Sequence, residues 1–385
     1  MRKVVLGDVV KINPATKVTK GQLVKFISMD KLDPFTKTPN GYEKKKFSSG
    51  TKFTNGDTLL ARITPCLENG KTAFVDFLDD LEVAAGSTEF VILRNIEGLT
   101  DPAYIYYLSI SPAFRDYAIK SMVGTSGRQR VQNDVLAKME LSLPPLDQQK
   151  KIANILGSLD EKIELNRRMN EALEQLGQAL FRHYFVDNPE ANSWDDVKVG
   201  ELVDIKGGGT PSTKNSSFWG GDIVWSSPRD LANQKCHFLM RTDKTITKQG
   251  LSKISSGMLP AGTLLLSSRA PIGYIAFAGV DMAINQGYIA FLPKAKLSNY
   301  FMYFWLKNNI QKIKDSANGS TFLEISKTAF RNIYIKQPNQ LLHNKFQYES
   351  MIILDKIRDN EAEIYNLTSL RDSLLPKLIS GEVIL

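Results

Sequence analysis

The residue types that can read base edges are concentrated in a few short polar segments of this 385-residue chain. Arg, Lys, Asn, Gln, Ser and Thr side chains bond to base edges, and Arg, Lys and backbone N–H groups hold phosphates. The candidates near the N-terminus are Arg62, Thr64, Thr125, Ser126, Arg128, Gln129 and Arg130. The candidates in the second half are Thr210, Ser212, Lys214, Arg229, Ser268, Arg269, Asn285 and Gln286. As two sets they predict contact with a nucleic acid, although for any single residue an ordinary turn or a solvated side chain is an equal alternative.

Complete motifs for catalysis or cofactor binding do not occur in the sequence. Asn69-Gly70-Lys71-Thr72 ends like a P-loop, but Pro65 stands where the first glycine of that phosphate nest is required. Gly207-Gly208-Gly209 begins like a dinucleotide fingerprint, but Ser212 stands where its third glycine belongs. The three histidines and two cysteines do not cluster, which predicts no zinc site. We therefore expect no catalytic residue, metal or cofactor on this chain.

A basic run, Lys44-Lys45-Lys46, directly follows Glu43. Glu43 and Asp33 have the residue types of a nuclease carboxylate pair, but such strings are common and a solvated turn explains them better. The lysines predict a solvated run or a phosphate contact rather than a base reader, because an ammonium group carries little sequence information.

The composition bounds the class of protein. Hydrophobic residues make up 42% and charged residues 23% of the chain, which suits two ordinary domains and argues against wholesale disorder. Cys66 and Cys236 are the two cysteines, so a disulfide framework is not expected and a reducing compartment fits. No run reaches the ~18 apolar residues that a membrane span needs. We expect a cytoplasmic protein without a membrane contact.

The net charge of +8 is confined to two regions. Residues 1–142, the first block, hold 20 Lys and Arg against 16 Asp and Glu, and residues 194–336, the second block, hold 18 against 10. Residues 143–193 and 337–385, the first and second helical segments, hold 6 against 8 and 5 against 7. A generic basic protein has no reason to alternate in this way, so the pattern favours two separate surfaces for a polyanion.

The two helical segments repeat one heptad pattern at an offset of 194 residues. Both interrupt the apolar seam with an asparagine at the same place, and an asparagine in such a seam specifies register and partner. Ile155, Met169 and Leu176 are expected to fill most of a second stripe, and Leu156 and Ile163 are expected to widen it. Asp147 and Asn339 are expected to cap the helices. The seam residues are Ile152, Leu159, Asn166, Leu173 and Leu180 in the first segment, and Phe346, Ile353, Asn360, Leu367 and Leu374 in the second.

The two blocks repeat more loosely, for example in Gly124-Thr125 and Gly319-Ser320. Short apolar runs between Gly, Pro or Asn predict strands, and aromatic runs predict buried helices. We expect an α+β protein in which two mixed α/β domains are separated by two long antiparallel helices that form a coiled coil, with an approximate two-fold relation between the halves. The predicted strands span residues 58–61, 90–93, 263–266 and 288–292, and the predicted buried helices span residues 104–108 and 301–306.

Over nearly its whole length the chain resembles the specificity subunits of type I restriction–modification systems. The resemblance is carried by several strings in a fixed order, each weak alone and specific together. In the helical segments they are Leu143-Pro144-Pro145-Leu146-Asp147-Gln148-Gln149 and Leu370 to Glu382. In the second block they are Gly207 to Ser212, Phe218-Trp219-Gly220-Gly221 and Ile284-Asn285-Gln286-Gly287. One departure is Leu341-Leu342, which replaces a Gln-Gln pair typical of the family.

The resemblance implies that both blocks are target recognition domains for double-stranded DNA and that the helical segments form the spacer between them. It implies partners as well, namely two methyltransferase subunits and a restriction subunit that acts as translocase and nuclease. S-adenosylmethionine, ATP and Mg²⁺ are then expected on those partners. The alternatives are a nuclease or methyltransferase with its own active site, or a coiled-coil adaptor that does not bind DNA. Binding of S-adenosylmethionine by the isolated chain would favour the first alternative.

The spacer interpretation gives a test of length. From Asp147 to Tyr184 there are 38 residues, or roughly 57 Å of helix. A separation of ~40–57 Å matches half-sites about 12–17 base pairs apart between centres. One heptad inserted after Leu173 and another after Leu367 keeps the seam in register and adds roughly 10.5 Å, close to three base pairs. Those base pairs also rotate one half-site by on the order of 100°.

We therefore expect the doubly extended protein to prefer a longer gap, to bind more weakly, and to keep the bases of each half-site. Binding to duplexes that differ only in the length of the gap measures this. An unchanged preferred gap would show that the helices do not set the distance.

Overall fold

The computed structural model describes residues 1–233, 236–293, 295–318, 323–383 and 385. The chain forms two compact units: the first unit contains Met1–Glu164 and Ile364–Leu385, and the second unit contains Leu165–Glu363. The first block lies in the first unit and the second block in the second unit, while each long helix contributes residues to both. Gly319-Ser320, the predicted counterpart of Gly124-Thr125, lies outside the described residues.

The first block is a mixed α/β domain that ends on a long helix. Short strands and four short α-helices precede that long helix. In chain order the elements are β1 (Arg2–Val5), α1 (Leu6–Val9), β2 (Val10–Ile12), β3 (Leu23–Ile27), β4 (Glu43–Lys46), β5 (Thr51–Phe53), β6 (Thr58–Ala61), β7 (Thr72–Phe74), β8 (Ala84–Gly86), β9 (Phe90–Asn95), α2 (Pro102–Ile110), α3 (Pro112–Lys120), α4 (Asn133–Ala137), β10 (Glu140–Leu143) and α5 (Leu146–Phe181).

The second block has the same kinds of element in the same order. A π-helical turn (Arg182–Val186) and a 3₁₀ turn (Pro189–Ser193) lead into it. The elements are β11 (Asp196–Lys198), α6 (Val199–Leu202), β12 (Ile205–Lys206), β13 (Trp219–Ser226), α7 (Pro228–Asn233), β14 (Phe238–Leu239), β15 (Lys244–Ile246), α8 (Lys248–Leu251), β16 (Leu264–Ser267), β17 (Ile275–Ala278), β18 (Met282–Ile284), β19 (Tyr288–Phe291), α9 (Asn299–Asn308), α10 (Ile310–Asp315), α11 (Lys327–Arg331), β20 (Tyr334–Lys336) and α12 (Gln340–Ser380).

The sheets show that the internal repeat extends to topology. In the first block the strand orders are β2-β9-β6-β7 and β4-β3-β8-β5, and β1 pairs with β10. In the second block β12-β19-β16-β17 repeats the first of these orders, β14 extends it, and β11 pairs with β20. The parallel pairing of β3 with β8 is repeated by β13 with β18. The strands predicted from the apolar runs are confirmed to within two residues.

The aromatic helices α2 and α9 lie at the centre of each core, as predicted. Asp101 accepts a hydrogen bond from the backbone N–H of Tyr104 at 2.9 Å and so caps α2, which has Pro102 in its first turn. Ser298 caps α9 through the N–H of Phe301 at 3.2 Å. The rings between these caps and the helix ends are almost fully buried, so burial of apolar area rather than any aromatic contact with a ligand explains them.

The helices α5 and α12 pair antiparallel within each unit. In the second unit the side chain of Asn166 bonds to Glu363 at 2.8 Å, and that of Asn360 bonds to Asn170 at 2.8 Å. As residue numbers rise along α5, the numbers of the bonded residues on α12 fall, so the two helices run antiparallel. The two seam asparagines are buried and each bonds across the pair, but to these partners and not to each other. A polar layer of this kind fixes register.

The predicted seam residues face inward, but the second stripe is buried at the two residues expected to widen it rather than at those expected to fill it. Every predicted seam residue is buried or half-buried. Ile155 and Leu176, however, are 37% and 49% exposed, whereas Leu156 and Ile163 are buried. Leu156 is buried because it also packs into the core of the first block. The buried stripe therefore follows the positions four residues after each seam residue.

Both helix starts are close to the prediction. Asn339 caps α12 by accepting a hydrogen bond from the N–H of Leu342 at 2.8 Å. The helix α5 begins at Leu146, one residue earlier than expected, so Asp147 lies in its first turn, where a carboxylate still complements the helix dipole.

In the first unit a buried ion pair joins the two helices to the block. Arg371 on α12 donates to Asp160 on α5 at 2.7 Å, and both side chains are about 5% exposed or less. The hydroxyl of Tyr107 on α2 donates to the other oxygen of Asp160 at 2.7 Å. Arg371 also donates to the backbone carbonyl of Phe35 at 3.1 Å. The block therefore bonds to both helices through one satisfied charge pair.

In the second unit a histidine between two glutamates joins the block to both long helices. The ring of His237 meets Glu361 on α12 at 2.9 Å and Glu174 on α5 at 3.2 Å. Glu361 also accepts the backbone N–H of His237 at 2.7 Å, and Glu174 accepts the hydroxyl of Tyr303 at 2.9 Å and the ammonium of Lys307. Two cations thus balance two carboxylates in a largely buried cluster.

The charge state of this cluster follows from its geometry. Burial opposes a charge on His237, but the hydrogen bonds and charges of both glutamates outweigh it and raise the pKa of His237 to about 9. Burial likewise opposes ionisation of Glu174, but His237 and Lys307 hold the pKa of Glu174 well below its ordinary value. Burial raises the pKa of Tyr303 and of Cys236, so neither loses a proton near neutral pH.

We expect His237→Gln to destabilise the second unit in a pH-dependent way. Because the pKa of His237 is higher in the folded state than in the unfolded one, its stabilisation is full below about pH 6.5 and is lost as pH rises through about 9. Urea unfolding of both proteins from pH 6 to pH 10 should show a difference of at most roughly 3 kcal/mol that shrinks across this window.

The exposed His183 supplies the matched control, since His183→Gln removes a histidine that lies outside the cluster. A difference between wild type and His237→Gln that does not change with pH would contradict a charged His237.

Candidate nucleic-acid interface

The structure brings the first set of sequence candidates together in one loop cluster. The loop that follows β6 contains Arg62 and Thr64, and it lies against the loop between α3 and α4. The N–H of Val131 bonds to the carbonyl of Arg62 at 2.9 Å, and the N–H of Thr64 bonds to the carbonyl of Gln129 at 3.0 Å. The buried strand β6 thus fixes where both loops leave the core.

Within this cluster the side chains divide into two roles. Thr125, Ser126 and Arg128 are exposed. Arg130 instead forms hydrogen bonds of 2.7–3.1 Å with both carboxylate oxygens of Glu89, and these bonds lower the pKa of Glu89. The exposed side chains are available to a ligand, whereas Arg130 holds the loop in place.

Arg62 and Gly124 also shape the loop from within. Arg62 donates to the carbonyl of Val131 at 3.0 Å. Gly124 has φ of 141° and a β-carbon there would lie 2.9 Å from the carbonyl oxygen of Arg128, so a glycine is required. Glu89 was not among the sequence candidates, and only its contact with Arg130 in the folded chain identifies it.

The second set of candidates also converges in the structure. The loop that contains Thr210 and Ser212 lies against the turn after β18: the N–H of Gly209 bonds to the carbonyl of Ile284 at 2.9 Å, and Thr210 donates to the side chain of Gln286 at 2.6 Å. A β-carbon at Gly208 would overlap the carbonyl of Ile284, so the glycine run permits this close approach. Thr210 and Gln286 are both exposed.

Two further loops complete the cluster in the second block. The N–H of Ser268, after β16, bonds to the carbonyl of Gly287 at 2.8 Å, and the N–H of Asn285 bonds to the carbonyl of Ser226, at the end of β13, at 2.8 Å. The ends of β13, β16 and β18 therefore meet at one place, although they are distant in sequence. Arg229 is exposed on α7, which follows β13, and Lys214 is exposed on the segment between β12 and β13.

Some of these candidates support the loops rather than face outward. Ser268 is 3% exposed, Asn285 accepts the N–H of Gly287 at 2.7 Å, and Arg269 lies 3.6 Å from Glu324. Their contact with DNA stays a prediction, but the structure gives each of them a positioning role in the loop cluster. Lys327, which the sequence did not single out, lies against the backbone of Gly207.

The described part of the chain shows no further chemistry at these clusters. Among the described residues no three His, Cys, Asp or Glu side chains lie together as metal ligands. Cys66 and Cys236 are free thiols. Over the same residues no helix is long and apolar enough to cross a membrane.

The geometry separates exposed side chains from side chains that hold a loop. We expect Arg128→Gln and Lys214→Gln each to weaken DNA binding and to reduce the slope of log affinity against log salt by about 1. Lys3→Gln removes the same charge from an exposed strand outside the loop clusters and should leave the slope unchanged. Affinities measured over a salt series test this, and equal slopes in all four proteins would move the contact surface elsewhere.

Comparison with known proteins agrees with this architecture. The family model described as type I restriction modification DNA specificity domain matches residues 1–175 and again residues 192–368. The type I restriction enzyme HindI specificity subunit of Haemophilus influenzae is 26% identical over 403 aligned residues, covering 85% of this chain and 86% of that protein. The MjaIX specificity subunit of Methanocaldococcus jannaschii is 35% identical over 174 residues, covering 44% and 40%.

Among solved structures, the S subunit of a type I restriction–modification system from M. genitalium is similar in fold, with a TM-score of 0.58 and 16% identity over 98% of this chain and 96% of that one. The two matches to the family model follow the two halves of the repeat, each containing one block and the greater part of the helix that follows it. The chain therefore belongs to the family of type I restriction–modification DNA specificity proteins.

Proposed function

We propose that the two blocks of this chain each read one half of a bipartite, asymmetric site in duplex DNA, and that the chain directs methyltransferase and restriction subunits to that site. The observation that carries this proposal is the duplicated topology with different loops. The same strand order, repeated in both blocks, places a loop cluster at corresponding strand ends in each block. Two blocks that share this topology but differ in their loop residues are suited to two different half-sites.

Differences between the clusters support an asymmetric site. The first block offers an arginine and small hydroxyl side chains, among them Arg128 and Ser126, from a loop between two helices. The second block offers Thr210, Gln286 and Lys214 from loops at strand ends. Arginine bonds preferentially to guanine and glutamine to adenine, so these clusters favour unlike bases.

The charges of the blocks support a duplex as the ligand. Both blocks are net positive and both helical segments are net negative. A cation-rich surface gains affinity for DNA by releasing counterions, whatever the sequence, and the exposed loop side chains then add discrimination between bases.

The helices support the proposed partners. Several large apolar side chains on their outer surfaces remain exposed: Leu165 at 54%, Leu176 at 49%, Ile352 at 51% and Tyr348 at 63%. Such residues are typical of surfaces that another subunit covers. We assign them to two methyltransferase subunits, with a restriction subunit joining the larger complex. S-adenosylmethionine, ATP and Mg²⁺ then belong to those partners, the chain itself catalyses no reaction, and the complex acts in the cytoplasm.

An exchange of one block tests the proposal. Replacing residues 194–336 by the corresponding block of a relative should change one half of the methylated motif and leave the other half and the gap unchanged. The replacement should keep His237, Tyr303 and Lys307, because these contact Glu174 and Glu361 on the retained helices. Mapping of methylated bases in a host that carries the assembled complex gives the result.

A change in both halves of the motif would show that the blocks read cooperatively. A motif that does not depend on this chain at all, seen when its gene is deleted, would contradict the proposed function.

A further inference from the structure

One face of the sheet β4-β3-β8-β5 in the first unit bears lysines that have no carboxylate partner in the described chain. On antiparallel strands, residues directly opposite share a face, and successive residues alternate between faces. Lys45 is opposite Val24, and both Phe26 and Lys52 are in register with Ala85. Lys45 and Lys52 therefore lie on the same face as Phe26.

Contacts of the two ammonium groups place them around a small apolar cluster. The ammonium of Lys45 lies 3.3 Å from the ring centre of Phe26, and that of Lys52 lies 5.3 Å from the ring centre of Phe47. These rings belong to a satellite cluster with Val24 and Ala85, apart from the main core of the first block. Lysine stems that lie on apolar surface keep their charged ends at its rim.

The opposite face of the same strands bears Lys25, Lys44 and Lys46. Lys44 is directly opposite Lys25, and Lys25 forms ion pairs with Glu82 at 2.7 Å and Asp79 at 3.5 Å. The face of Lys45 and Lys52 has one carboxylate, the exposed Glu43 at the end of β4, and no ion pair joins it to either lysine among the described residues. The two faces therefore differ in what surrounds their lysines: aromatic rings and a groove on the face of Lys45 and Lys52, and the carboxylates of Glu82 and Asp79 on the other.

The surroundings of this face are also basic. Apart from Lys25, which is paired on the opposite face, residues 9–29 contain three lysines and no Asp or Glu. Lys52 lines a groove of about 250 Å³ together with Asn13, Thr16 and Thr51. An adjoining groove of about 530 Å³, which shares Pro14 with it, is lined by Lys11. A path of positive charge thus extends along the surface of the first unit.

This path is continuous with the loop cluster of the first block. Thr51, next to Lys52, donates to the carbonyl of Ser87 at 2.9 Å. Two residues later the carbonyl of Glu89 accepts the N–H of Arg62 at 2.9 Å. The lysines therefore lie beside the segment that supports the candidate base-reading loop.

We propose that Lys45 and Lys52, with the groove that leads to Lys11, bind the sugar–phosphate backbone of duplex DNA beside the half-site that the first block reads. This lysine face rests on the proposed function and adds to it a contact that carries no sequence information. Cations on a flat sheet face with aromatic rings between them match a line of phosphates, and each phosphate neutralised releases a counterion. The contact would position the duplex while the loops read its bases.

A second explanation for lysines on β4 is protection of a sheet edge. β4 is an edge strand, and lysines discourage pairing with other chains. That explanation applies equally to Lys44, Lys45 and Lys46, whereas phosphate binding singles out Lys45. The strand itself therefore supplies the matched control.

The experiment compares K45Q/K52Q with K44Q/K46Q in the full chain assembled with its methyltransferase subunits. Both variants lose two positive charges, from opposite faces of one sheet. Binding is measured over a salt series to a duplex that carries the mapped methylation motif and to a duplex of equal composition without it. We expect K45Q/K52Q to reduce the salt slope by about 1.8, so that a fourfold rise in salt weakens wild type about tenfold more than the variant.

The expected pattern has three further parts: both duplexes lose affinity by the same factor, K44Q/K46Q keeps the wild-type slope, and K45R/K52R restores it. Thermal unfolding of each variant confirms that the first unit is folded. Equal slopes in the two glutamine variants, or a change in aggregation without a change in slope, overturn the inference. Wild type that fails to prefer the duplex with the motif contradicts the proposed function instead, so the two failures are distinguishable.

Discussion

A carboxylate taken out of water on the long helices determines how each block is held. Asp160 in the first unit is surrounded by donors from the block and from the partner helix, whereas Glu174 and Glu361 in the second are surrounded by donors from the block. Removing one partner of such a pair costs about 3–5 kcal/mol, since the remaining charge stays buried. The orientation of the loops relative to the helices within a unit therefore depends on a few directional bonds as well as on apolar packing.

The two units solve this problem with different chemistry, although their folds repeat. In the first unit an arginine on α12 pairs with the aspartate. In the second unit a histidine from the block pairs with both glutamates. A tyrosine hydroxyl, from Tyr107 or Tyr303, completes each cluster from an equivalent helix. The aromatic helices α2 and α9 thus have a polar role in addition to filling the core.

Much of this architecture could be predicted from the sequence because it follows from periodicity. Heptads, strand-length apolar runs and a repeat at fixed offset each have a direct structural meaning, and the strands around residues 58–61 and 288–292 were located in this way. For the second stripe of α5 the pattern offered both Ile155 and Leu156 and did not show which of them is buried. Positions three and four residues after a seam position are neighbours on a helix, and only packing against the block chooses Leu156 over Ile155.

The side-chain roles at the loops were less predictable, for a physical reason. Arg128 and Arg130 are alike in sequence context, yet Glu89, 41 residues away, engages one of them. Likewise nothing local to His237 indicates two glutamates from two helices. Interactions between distant segments have no periodic signal, and so they appear only when the fold is known.

The division of the chain into units has a consequence for its synthesis. The second unit is a continuous stretch, Leu165–Glu363, whereas the first unit needs Ile364–Leu385 to complete it. Leu375 and Leu378 pack in one core with Ile152 and Leu156, so that core stays open while the intervening residues are translated. Domains usually fold from the N-terminus onward as they leave the ribosome. For this protein we expect the reverse order: the block made first closes its core last, and until then part of its apolar surface is open to chaperones and proteases.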